Sequence, residues 1–292
     1  MKIYDCTTFH SEHMMMDVRF NALNEHIHKF IVVESLFSHS GKKKKLNFDI
    51  NNYPKFKDKI IYLVIDREPD NLINPLNENI QYKRINSIKR IELSYDFMMS
   101  EIKKLSDNDL IILSDNDEIP NLDSTQFKDS NSDIYIFKQL FFYYKFNLLY
   151  DRMYWFGSKA CTKKKLKSLS WLRNLKNKKY PFWRVDTFFS KTKSSSLKII
   201  NDGGWHFTNV MSAENLYTKM TNFGHHDEFE LSELSVEDLK IKINQGLVFY
   251  DHFAGQEDKN KWEFNYKLKK ISDNLLPDSL IKDKIKLKEW FN

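Results

Sequence analysis

The segment Asp109–Leu113 (Asp-Leu-Ile-Ile-Leu) runs without a break into Ser-Asp-Asn-Asp-Glu-Ile-Pro. A short, wholly apolar run reads as a strand buried on both faces, so layers must cover the sheet above and below. At its exit, Asp115, Asp117 and Glu118 place three carboxylates within four residues. Such groups repel one another unless a cation or a positively charged ligand sits among them. In open α/β sheets, ligands bind beyond the carboxyl ends of the strands. Alternate residues of an extended turn share a face, so Asp115 and Asp117 can point the same way. Oxygen donors in that arrangement suit Mg²⁺ or Mn²⁺, which keep positions open for diphosphate oxygens. Pro120 stiffens the exit, and Glu118 either holds a metal-bound water or anchors the loop. The competing reading is an exposed acidic turn that caps a following helix.

The flanking pattern supports a sheet. Strands are predicted at Lys2–Cys6, Lys29–Glu34 and Lys59–Ile65, with helices at Met14–Leu23 and over residues 84–105. Ile88, Ile91, Phe97, Met98 and Ile102 form the apolar face of the second helix. This rhythm predicts an α/β fold with a mainly parallel central sheet. After residue 133, Ile134–Phe146 and Met153–Cys161 read as the long strands of a hairpin. Lys198–Ile200 reads as a strand and Ala213–Phe223 as a helix. No repeat, Pro/Gly linker or low-complexity tract divides the chain. We therefore expect one catalytic domain over 1–235, with a helical C-terminal extension over 236–292 packed on it.

Composition narrows the setting. The 292 residues include 23 Phe, 14 Tyr and 6 Trp, enough for a large core, which argues against disorder. No run approaches the roughly 18 apolar residues of a membrane span, and the N-terminus lacks a signal-peptide core. Cys6 and Cys161 are too few for a disulfide framework or a zinc site, and no Asn-x-Ser/Thr acceptor occurs. These features predict a cytoplasmic protein without a transmembrane segment. The net charge of +6 is uneven, because residues 163–193 carry eleven Lys or Arg and one acid, Asp186. The remainder is net acidic. The basic segment suits a phosphorylated ligand or peripheral contact with an anionic membrane; its bland reading is a solvated lysine-rich face. No nucleic-acid motif accompanies it, so nucleic acid is the least favoured partner.

A second motif, Gly203-Gly204-Trp205-His206-Phe207, combines glycines that permit close backbone approach with aromatic faces that can stack on sugar rings. His206 is either a metal ligand or a satisfied core histidine. Next comes His225-His226-Asp227-Glu228, a helix cap or a catalytic edge.

Together with Phe-Ile-Val-Val-Glu-Ser-x-Phe-x-x-x-Gly over residues 30–41, these motifs resemble glycosyltransferase family 17 over roughly residues 14–230. That family includes the β-1,4-mannosyl-glycoprotein 4-β-N-acetylglucosaminyltransferase. The resemblance implies a GT-A-like nucleotide-sugar fold and inverting, metal-dependent transfer from a UDP-sugar, with UDP-GlcNAc as donor. It implies Asp115 and Asp117 as ligands of Mn²⁺ or Mg²⁺, with His206 as a third. Glu34, Arg19, Gly41, Lys42 and Glu118 fall on the donor side, and Trp205, Phe207 and Arg184 on the substrate side. An acid must deprotonate the acceptor hydroxyl, and Asp186 and Glu228 are its candidates. The chain departs from the family in having Tyr95-Asp96 where a Gln-Arg pair is expected, and in lacking a membrane anchor. The acceptor expected is accordingly a glycan, polysaccharide or lipid-linked oligosaccharide met in the cytoplasm. Two rival readings are a metal-dependent phosphohydrolase or nuclease, and a non-enzymatic binder of anionic polymer through residues 163–193.

Overall fold

The apolar runs of the first half pair as two-sided burial requires. The computed structural model describes residues 1–73, 80–181, 190, 192–222, 229–230, 232–255 and 258–292. Its first half runs β1 (Ile3–Phe9), α1 (His13–Leu23), β2 (Lys29–Ser35), β3 (Ile60–Ile65), α2 (Ile80–Ile102) and β4 (Leu110–Leu113). Then follow β5 (Glu118–Pro120), α3 (Thr125–Lys128), β6 (Ile134–Phe137), β7 (Leu140–Tyr143), β8 (Leu148–Leu149) and β9 (Lys159–Thr162). The last part holds α4 (Leu169–Asn174), β10 (Leu197–Ile200), β11 (Gly204–Thr208), α5 (Ala213–Met220), α6 (Val236–Gln245), β12 (Lys269–Lys270) and α7 (Asp278–Lys282).

The protein is an α/β fold around a seven-stranded sheet of order β10-β6-β9-β4-β1-β2-β3. β1 lies parallel to β2 and β4, β2 to β3, and β10 to β6; β9 alone is inserted antiparallel. Alternation divides β2 between two cores. Phe30 and Val32 pack with Met16, Phe20 and Leu23 of α1, whereas Ile31 and Val33 pack with Tyr95, Met98 and Ile102 of α2. With a helix on each face, every side chain of the strand centre is removed from water, and each contributes roughly 1.5–3 kcal/mol. Among the described residues no helix is long and apolar enough to cross a membrane.

The expected hairpin over 134–161 forms only in part. Ile134 does pair antiparallel with Cys161, and Gln139 bridges Trp155. From Leu140 the chain leaves for a second sheet of order β12-β8-β7-β11-β5. The apolar run gave no signal for this departure, because Phe137, Phe141, Phe142 and Tyr143 are buried on either side of it. The neighbouring strand makes the same passage: β10 is parallel to β6 in the first sheet, and β11 is parallel to β7 in the second. At the seam Lys138 N donates to Ile200 O (2.9 Å) and Gly203 N donates to Lys138 O (3.1 Å). A Cβ on Gly203 would stand 2.3 Å from Lys138 N, and Gly204 has φ +106°, so both glycines are required by the backbone.

Beyond Val236 the chain forms α6, with a Ser235/Asp238 capping box at its start and left-handed Gly246 at its end. β12 then joins β8, and Leu276, Leu280 and Leu287 enter the same core as Phe20 of α1.

Candidate active site

β4 delivers the acidic turn to the carboxyl edge of the large sheet, and β5 carries it into the second sheet. There β5 runs antiparallel to β11, with Glu118 opposite His206 and Gly204 opposite Pro120. Phe207 N donates to Asp117 O (2.8 Å). The two motifs, far apart in sequence, are thus one piece of sheet.

Below the turn lies a closed network. Arg19 is wholly buried and holds Asp5 through both carboxylate oxygens (Nε–Oδ2 2.8 Å, Nη2–Oδ1 2.5 Å). Its Nη1 donates to the carbonyls of Asp115 (3.1 Å) and Glu118 (2.6 Å), tying α1 and β1 to the turn. The Glu118 side chain is 0% exposed. It accepts from Asp115 N (2.8 Å), Trp155 Nε1 (2.6 Å), Arg173 Nη1 (2.8 Å) and Arg173 Nη2 (3.0 Å). Burial opposes its ionisation, yet the Arg173 charge prevails and holds the carboxyl below its ordinary range. Gly157 leaves room for this carboxylate, since a Cβ there would lie 1.8 Å from Glu118 Oε1.

Above the turn the groups face a cleft of about 750 Å³ at the carboxyl ends of β1, β2 and β4, lined by Thr8, Ser35, Asp115, Asp117, Arg173 and His206 among others. Asp115 keeps half its side chain open to the cleft and binds Arg173 Nη2 through Oδ2 (2.7 Å). Its carboxyl is pushed up to about 6, because the loss of water around it outweighs the pull of Arg173, and Glu118 and Asp117 repel its charge. Asp117 lies 3.4 Å from His206 Nε2 and 3.6 Å from Lys219 Nζ. Burial opposes its charge too, but His206 and Lys219 more than offset this and hold it well below the usual carboxylate range. The His206 ring is stacked on Phe141 (4.7 Å, 3°) and leans on Trp155 (4.7 Å, 30°), which fixes Nε2 beside Asp117. Its buried Nδ1 has no hydrogen-bond partner.

The structure brings together Asp115, Asp117, Glu118, His206 and Arg19. Of the other expected residues, Phe207 lines a smaller hollow beside Asp117, whereas Glu34, Gly41, Lys42 and Trp205 stand away from the cleft. Glu34 is fully buried and accepts from Asn47 N (2.8 Å), Phe48 N (2.9 Å), Tyr62 Oη (2.8 Å) and Lys44 Nζ, pinning the loop after β2. Gly41, at φ +90°, lets that loop sit on Arg90, whose guanidinium would be 2.5 Å from a Cβ; Lys42 is exposed. Trp205 and Phe207 alternate with His206 along β11 and turn the other way. Trp205 Nε1 donates to Leu275 O (2.6 Å), and Phe207 is buried against Phe142 and Phe146. Arg184, Asp186 and Glu228 lie outside the described residues. Sequence reasoning missed Trp155 and Lys219, and it read Arg173 only as one charge in a basic run.

Among the described residues no group of three or more His, Cys, Asp or Glu side chains gathers as a preformed metal cage. An Mg²⁺ or Mn²⁺ ion at a diphosphate needs only one or two carboxylates besides phosphate and water oxygens. Asp115 and Asp117 both border the cleft and supply carboxylates of that kind. Arg173 and Lys219 already stand beside the carboxylates, so a cation must compete with them.

A family model for Glycosyltransferase family 17 matches residues 1–257. No curated protein matches the chain. Among solved structures, the inositol-1-phosphate CTP transferase from T. maritima is similar at 14% identity, with 56% of this chain and 71% of that chain covered and a TM-score of 0.30. HddC from Yersinia pseudotuberculosis, complexed with GMP-PN, is similar at 10% identity over 69% of this chain and 91% of that chain, also with a TM-score of 0.30.

Proposed function

The chain belongs to glycosyltransferase family 17, and from that premise we propose that the cleft moves GlcNAc from UDP-GlcNAc, with inversion, to a hydroxyl of a glycan, polysaccharide or lipid-linked oligosaccharide. The observation that carries this reading is the meeting of Asp115, Asp117, His206, Arg173 and Lys219 at the carboxyl ends of β1, β2 and β4. That edge is where an α/β sheet receives a nucleotide.

Asp115 and Asp117, with His206 beside them, would hold a divalent ion, which supplies positive charge against the diphosphate oxygens. The protein's own cations act on the same charge. Arg173 is fixed by Glu118 and by the Gly157 carbonyl (2.9 Å), so it offers an oriented guanidinium without reorganisation. Lys219 faces the same cleft from α5. The sealed network below keeps the turn from yielding when charge develops on the leaving group. Residues 1–235 form the catalytic domain in this reading and 236–292 its extension. The protein acts in the cytoplasm, and lysines of the basic segment 163–193 meet an anionic membrane.

A thermal-shift panel of UDP, GDP and CMP sugars with Mn²⁺ tests the proposal. Stabilisation by UDP-GlcNAc and weaker effects from the others are expected. No response to any nucleotide sugar refutes it.

A further inference from the structure

A second hollow, of about 350 Å³, shares part of its wall with the cleft. Among the described residues, His10, Glu12, Asn116, Asp117, Asn209 and Lys219 line both spaces. A transfer reaction needs two substrates to meet at one wall, and the acidic turn is the wall these spaces share. The larger space, at the strand ends, suits the nucleotide-sugar.

The chemistry of the smaller space suits a pyranose ring. Asn116 and Asn209 are 9% and 5% exposed, and neither side-chain amide has a hydrogen-bond partner among the described residues. Asn209 also sits at φ +58°, a left-handed conformation that costs energy outside glycine. Both residues line the hollow, so their amides are placed to donate to and accept from a ligand's hydroxyls. Val210, Met211, Met14 and Trp290 supply an apolar side for the C–H face of a sugar.

Among the described residues, Glu12 and Asp117 are the carboxylates common to both spaces. Asp117 is occupied by His206 and Lys219. Glu12 accepts from Ser11 N (2.9 Å) and His10 N (3.3 Å) through Oε2 alone, and Oε1 has no partner among the described residues. Backbone donors orient the carboxylate and leave one oxygen for a proton.

We propose that the smaller hollow is the acceptor subsite for one pyranose ring and that Glu12 is the base acting on the acceptor. This rests on the glycosyltransferase reading. In the step, the acceptor oxygen bonds to C1 of the donor sugar while its proton passes to Glu12 Oε1. The bond from C1 to the diphosphate oxygen breaks, and its electron pair leaves with the nucleoside diphosphate.

The test uses the whole chain, UDP-GlcNAc, and the methyl β-glycosides of mannose, glucose, galactose and GlcNAc. Glu12→Gln is expected to lower kcat about 100-fold, with donor KM and the UDP-induced melting shift unchanged. Met211→Trp, which fills the hollow, is expected to raise acceptor KM roughly tenfold at unchanged donor KM. Full turnover in Glu12→Gln, or loss in Glu228→Gln or Asp186→Asn instead, overturns the base. An unchanged acceptor KM in Met211→Trp overturns the subsite. So does UDP binding by the wild type with no glycoside signal in saturation-transfer NMR. If no UDP compound binds the wild type at all, the parent reading fails, and this one with it.

Discussion

Asp117 and Glu118 are adjacent in sequence and opposite in circumstance. Glu118 points down into a network in which its two oxygens receive four hydrogen bonds. Asp117 stands beside His206, whose Nδ1 has no partner among the described residues, and borders the same spaces as Asn116 and Asn209. Glu118 is sealed from water, whereas Asp117 borders the cleft. Groups that border an open cleft are the ones a ligand can reach, so the side of the turn that carries Asp117, Asn116 and His206 is the side placed for a ligand. Burial alone did not separate the two, since both acids are buried residues.

Four substitutions test how sharp that division is. The largest effect is expected from Arg19→Met, which strands the Asp5 carboxylate in the core and should cost about 3–5 kcal/mol of stability in a urea titration. A loss under 1 kcal/mol would show that the lower network does not carry the turn. Asp117→Asn loses the attraction of His206 and Lys219 for the carboxylate, so some stability should be lost, but less than in Arg19→Met. Transfer should fall about 100-fold, equivalent to about 2.7 kcal/mol of barrier. If it destabilises as much as Arg19→Met, the contrast between the regions collapses. Gly157→Ala pushes a methyl group into the Glu118 carboxylate, and about 1–3 kcal/mol of destabilisation is expected from such crowding. Trp155→Phe keeps the ring beside His206 but removes the 2.6 Å bond to Glu118. A loss of about 1–2 kcal/mol is expected, with UDP affinity retained.

The strands of the first half were legible because short apolar runs with both faces buried have few other fates. The Asp-x-Asp turn and the Gly-Gly-Trp-His-Phe segment could be singled out by residue type. Their pairing could not, because β5 meets β11 only through the passage of two strands between sheets. Leu140–Tyr143 is apolar on both sides, so nothing in its alternation says which sheet it joins. Glu34 looked like a strand-end ligand; it is consumed by amides of a loop whose path no local pattern foretells. Arg173 was hidden for the opposite reason. It stands among lysines that read as a solvated surface, and only the fold shows that α4 turns this one inward.

The passage of β6 into β7 alongside β10 into β11 has a mechanical consequence. Two chain segments, β6 into β7 and β10 into β11, cross side by side from one sheet to the other, so swinging the sheets apart would break backbone hydrogen bonds on both sides of the seam. The molecule has no hinge there. Substrates must enter and products depart by the motion of loops around the rim, while the two halves of the floor stay locked together through every turnover.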